Sequence, residues 1–175
     1  NALLWGCEAW NLTKDNLRKI MSFHHGAIRR ILGIRWNQVR EKHIKNHEVR
    51  AILCNIPNVD AFINKRTATY IGKISRSSPE SYPIKFLTAW IHGKRKNGAP
   101  QLTCNNNFAK VIEKILPPDK PLLNKQGLLK EWLPLAKNES RWLEYIDAYF
   151  RSCRNIDYDE LNNPSSSDET DDSGG

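Results

Sequence analysis

Apolar residues recur at helical spacing almost throughout this chain, and no segment alternates with the period of two that a half-buried strand needs. Leu17, Ile20, Met21, Ala27, Ile28, Ile31 and Leu32 fall three, four or seven apart and mark one face of a helix. Thr13 is placed to cap its start and Gly33 to stop its end. His24 falls on the inward face of this helix and His25 near its edge. Lys14, Arg18, Arg29 and Arg30 occupy the opposite face, so the helix is both amphipathic and basic.

The same reading continues down the chain. Asn46 reads as the N-cap of a short helix with Val49, Ile52 and Leu53 inward. Pro57-Asn58 turns the chain into a helix striped by Val59, Phe62, Ile63, Tyr70, Ile71 and Ile74, flanked by Lys65, Arg66, Lys73 and Arg76. Pro83 suits the first turn of another helix, through Ile84, Leu87 and Trp90. Phe108, Val111, Ile112 and Ile115 mark a further one, stopped by Pro117-Pro118. Leu128, Leu129, Trp132 and Leu133 form a helix that Pro134 kinks or ends. Trp142, Ile146, Tyr149, Phe150 and Cys153 form the last. The fold class expected is all-α: an irregular bundle of about six or seven short helices. The bundle domain is expected over residues 12–154, after a segment 1–11 and before a disordered acidic tail, 155–175.

Charge divides the chain sharply. Lys+Arg total 27 and Asp+Glu 19, a formal net charge of +8. Seven of the acids lie in residues 157–175, which hold no Lys or Arg. Residues 1–156 therefore carry +15. A body this basic points to a polyanionic partner, most simply nucleic acid. The basic loop Gly93-Lys94-Arg95-Lys96-Asn97-Gly98 is the best candidate contact. Its cations cannot bury together, and its glycines let backbone approach phosphate. A solvated turn and a nuclear-import run are the other readings of that loop. Arg18, Arg29, Arg30, Arg35, Lys73 and Arg76 are the remaining candidate nucleic-acid contacts.

Other chemistry finds little support. Two-metal phosphoryl transfer needs clustered carboxylates, and the one Asp-Asp pair, Asp171-Asp172, lies in the tail. His43 and His47 have the four-residue spacing of two metal ligands, but a helix starting at Asn46 would break that face. No G-x-S-x-G, P-loop or C-x-x-C occurs, and Cys7, Cys54, Cys104 and Cys153 read as reduced thiols. No catalytic residue, metal or cofactor is expected. No apolar run reaches the length of a membrane span, so no membrane partner is expected either. Trp90, Trp132 and Trp142 fall on apolar stripes and read as core, although tryptophans can also serve as stacking platforms.

Several segments then resemble the C-terminal, post-polymerase region of non-LTR retrotransposon reverse transcriptases, in that family's order across residues 2–143. Leu3 to Thr13 is similar to the family's "LLYGCETWTLT" and Arg29 to Trp36 to its "RRILGIRW". Asn46 to Arg50 resembles "TNEEVR", and Tyr70 to Arg76 resembles "WLGHVLR". Gly93 to Thr103 is similar to "GKRRRGRPRLTW", and Ser140-Arg141-Trp142 to "DRSRW". The family's Gly-Arg-Pro is here Gly98-Ala99-Pro100, without the Arg that minor-groove reading would use.

The resemblance implies that residues 1–11 end a polymerase thumb whose apolar Leu3, Leu4, Trp5 and Trp10 lack their partner surface here. It implies that the polymerase and endonuclease domains lie outside this chain, which opens without an initiator Met and reads as a fragment. The function it implies is a non-catalytic, intracellular piece, nuclear or cytoplasmic. This piece would hold template RNA or target DNA by the phosphate backbone beside the upstream polymerase domain. A purely structural module supporting the thumb and a decayed element remnant without function are the alternatives.

Overall fold

A computed structural model describes residues 2–88, 104–116 and 128–155. The described residues are all-helical. After a short 3-10 turn, Cys7–Ala9, come α1 (Lys14–Ile31), α2 (Trp36–Lys42), α3 (Asn46–Ile52), α4 (Val59–Ser75) and α5 (Tyr82–Thr88). Then follow α6 (Cys104–Ile115), α7 (Leu128–Lys137) and α8 (Glu139–Asn155). The element beyond the seven legible helices is α2. It buries no residue, so it carries no apolar stripe for periodicity to find.

Local chemistry sets the helix ends. The Thr13 hydroxyl oxygen accepts from the Asn16 N–H at 3.2 Å and caps α1. At the other end Gly33 has φ 68°. Its N–H donates to Arg30 O, and the Ile34 N–H donates to Arg29 O at 2.9 Å. This paired closure needs the left-handed conformation that glycine adopts without steric cost. The start of α3 differs by one residue from the expectation. Lys45 is the N-cap, its N–H donating to Glu48 Oε2 at 2.9 Å, and Asn46 is the first helical residue.

Helix α4 is the axis of the fold. One of its sides, with Ala61, Ala68, Ile71 and Ile74, joins a core made by Ile84 of α5, Phe108, Val111, Ile112 and Ile115 of α6, Trp132 and Ala136 of α7, and Trp142, Ile146, Tyr149 and Cys153 of α8. Val59 and Ile63 join a second cluster with Cys7, against which Leu4, Trp10, Leu12, Leu17, Ile20 and Met21 pack. Packed on two sides, α4 buries small and polar residues that its apolar stripe omits: Ala61, Asn64, Thr67, Ala68, Gly72 and Ser75. Tyr70, expected on the stripe, is exposed. Pro134 lies inside α7 rather than at its end.

Three further expectations are corrected. The segment 1–11 does not lack a partner surface: Leu4 and Trp10 pack on the second cluster, Arg66 Nη1 donates to Leu4 O at 2.6 Å, and Asn107 Nδ2 donates to Trp10 O at 3.3 Å. Leu3 and Trp5 do remain exposed. On α1, His25 is the buried histidine, 2.9 Å from Asn58 Oδ1, while His24 is half-buried. Ile31 and Ile52 face solvent instead of the core. The tail, like the loop holding Lys94, Arg95 and Lys96, lies outside the described residues.

Candidate nucleic-acid interface

The end of α1, with α2 and α3, forms a basic corner. Residues 29–50 hold seven Lys/Arg side chains against Glu41 and Glu48. The tight turn at Gly33 brings α2 back beside the end of α1. There the Arg29 guanidinium lies 5.4 Å from the Trp36 ring centroid. An Nη of Arg29 also donates to Asn46 Oδ1, so one side chain ties together α1, α2 and α3. Trp36 is still 58% exposed. Arg30, Arg35, Arg40, Lys42 and Lys45 stand exposed on the same three elements, whereas Arg50 is buried.

This arrangement has the two parts that single-strand binding uses: cations free to neutralise phosphate and an aromatic face free to take a base. Trp36 is the component that reading the sequence passed over. The signal available was its place at the end of an Arg-rich motif.

The other candidate cations are distributed differently. Arg18 is exposed, farther up α1, and pairs with Asp15 at 3.4 Å, an exposed pair worth little. Lys73 is exposed on α4 and lines a separate cleft. Arg76 is held within the fold, donating to Ala136 O at 3.1 Å and to Glu139 Oε1 at 3.0 Å. The structure therefore groups Arg29, Arg30 and Arg35 at one corner and turns Arg76 toward α7 and α8.

Titratable groups near α1 serve the interior. Burial first, then electrostatic interaction with His25 and Arg50, hold the His24 imidazole down to about 4 from the usual 6.5. Burial raises the Asp60 carboxyl, with Lys114 opposing. His43 ends α2 in the left-handed conformation at φ 49°, and His47 belongs to α3, so the two do not share a helical face. Among the described residues no group of three or more His, Cys, Asp or Glu could hold a metal ion. Cys7, Cys54 and Cys153 form no disulfide. No described helix is long and apolar enough to cross a membrane.

No protein-family profile and no solved structure matches the chain. It is 24% identical over 148 residues to a putative uncharacterized transposon-derived protein of Caenorhabditis elegans. The match covers 83% of this chain and 50% of the relative, so the chain spans about half the relative's length. The likeness supports a transposon-related origin for this chain.

Proposed function

We propose that this chain is a non-catalytic region of a non-LTR retrotransposon reverse transcriptase that holds RNA or DNA by its phosphate backbone. The observation that carries the proposal is the exposed Trp36 ring against Arg29, at a corner where Arg30, Arg35, Arg40, Lys42 and Lys45 also stand exposed. Contacts of this kind are insensitive to sequence and sensitive to salt. The polymerase domain that the resemblance implies would sit upstream and supply the chemistry.

The test is binding of the full chain to a labelled single strand across a salt series. Replacing Arg30, Arg35 and Arg40 with Ala should lower the magnitude of the log-log salt slope by about 2–3, near 0.7–0.9 for each lost phosphate contact. A parallel variant with Lys94, Arg95 and Lys96 replaced measures the share of the basic loop. Affinity unchanged in both variants would overturn the proposal.

One observation favours a second reading, a module that props the polymerase thumb. The N-terminal segment that the resemblance places at the end of the thumb is anchored by Leu4, Cys7 and Trp10 and by the Arg66 bond to Leu4 O. A chain that binds no nucleic acid at low salt, yet unfolds when Cys7 and Trp10 are truncated, would fit that reading.

A further inference from the structure

A cleft of about 480 Å³ opens between α4, α8 and the N-terminal segment, away from the Trp36 corner. Its wall on α4 is one helical stripe: Phe62, Lys65, Arg66, Tyr70 and Lys73. Phe150 of α8 faces them. Phe62 meets Phe150 edge to face at 5.1 Å between centroids. Lys65 Nζ stands 4.5 Å from the Phe150 centroid while also bonding Asp147 at 2.9 Å. Glu8 is the carboxylate that lines the cleft. Tyr70 is 41% exposed, with its ring available to a ligand, and Lys73 is exposed with no ion pair among the described residues.

We infer that this cleft is a subsite for one unpaired nucleotide of a bound single strand. The inference rests on the nucleic-acid reading above and deepens it. The exposed Tyr70 ring offers a face on which any base can stack, with Phe62 and Phe150 lining the cleft beside it, and Lys73 at the rim can meet a flanking phosphate. A purely anionic ligand has no use for the aromatic lining, and a purely apolar one has none for Lys73 at the rim. The volume falls within the roughly 300–1,000 Å³ of small-ligand sites. A base paired in a duplex cannot enter, so the cleft favours single strands.

The experiment measures affinity of the full chain for oligouridylate and for an RNA duplex of the same length. Tyr70→Leu removes the accessible ring at an exposed position and keeps an apolar side chain. It should weaken oligouridylate binding about tenfold, within the range expected for one lost stack, and change duplex binding less than twofold. Lys73→Gln should lower the oligouridylate salt slope by about one contact. Unchanged oligouridylate affinity in Tyr70→Leu, or an equal loss on duplex, overturns the subsite while leaving the Trp36 corner standing. Wild-type chain that binds neither probe sinks the nucleic-acid reading itself. A peptide of residues 156–162 that displaces oligouridylate in wild type but not in Tyr70→Leu supports the cleft as the shared contact. The same peptide binding the cleft while oligouridylate does not would make the chain's own acidic segment the occupant and overturn the inference.

Discussion

The Trp142 indole of α8 lies against Gly72 of α4 so closely that a Cβ at Gly72 would stand 2.5 Å from Trp142 Cδ1 and 2.6 Å from Nε1. The same Nε1–H donates to the Ala68 carbonyl, one turn earlier, at 2.9 Å. Both atoms are deep in the core, and Trp142 also approaches Trp132 at 6.1 Å between centroids. Two of the segments that resemble reverse transcriptase motifs, 70–76 and 140–142, thus meet in one contact.

Gly72→Ala should therefore destabilise the fold, although alanine is the better helix former. The added methyl must push the indole away from Ala68 O, an overpacking cost of about 1–3 kcal/mol that exceeds the roughly 1 kcal/mol of helix propensity gained. Urea unfolding reads the balance, and a variant as stable as wild type would show that the indole has room to move.

Arg76 and Arg30 should separate fold from binding. Arg76→Ala loses the bonds to Ala136 O and Glu139 and leaves a buried-side carbonyl without its donor, costing about 1–2 kcal/mol. Arg30→Ala, on an exposed face, should change stability by less than about 0.5 kcal/mol and weaken nucleic-acid binding instead. Paired denaturation and binding curves for the two variants check this.

Stability should fall as pH drops from about 6.5 toward 4 through His24. The unfolded imidazole takes its proton near 6.5, and the folded one only near 4. Between those values the unfolded state binds more protons, so acid favours unfolding. Above 6.5 both states are neutral and the contribution of His24 is fully present. His24→Gln should flatten that part of the stability profile in urea titrations across pH. A profile identical to wild type would assign the acid sensitivity elsewhere.

Deleting residues 157–175 should tighten nucleic-acid binding more at low salt than at physiological salt. Seven carboxylates are tethered to a body of +15 and compete with phosphate at high effective concentration. Screening shortens from about 30 Å at 0.01 M to about 8 Å at 0.15 M, so the competition fades as salt rises. Equal tightening at both salts would mean that the tail acts other than through charge.

Features decided within one or two turns of chain could be read from the residues alone. The Thr13 cap and the Gly33 stop depend on a hydroxyl three residues from an N–H and on a glycine at positive φ, both local. The long amphipathic helices followed from the spacing of Leu, Ile, Val and Trp, because each had to bury one stripe. The basic body and acidic tail followed from counting charge.

What the tertiary structure decided depends on where other helices lie. His24 and His25 are about 100° apart on α1, and His25 is the one that turns inward, where it meets Asn58 at the start of α4. Ile31 and Ile52 match the helical period yet face water, since no described helix comes to cover them. Trp36, large and apolar, is left outside beside Arg29 for the same reason, and that exposure makes the corner a candidate site. Gly72 reads as a weak point in a helix until Trp142, seventy residues later, is laid across it. The sequence determined seven of the eight described helices and how charge is divided among them. The packing of α8 and the N-terminal segment on α4 decided which faces close and which remain open to a partner, because burial is a property of two surfaces and each stripe specifies only one.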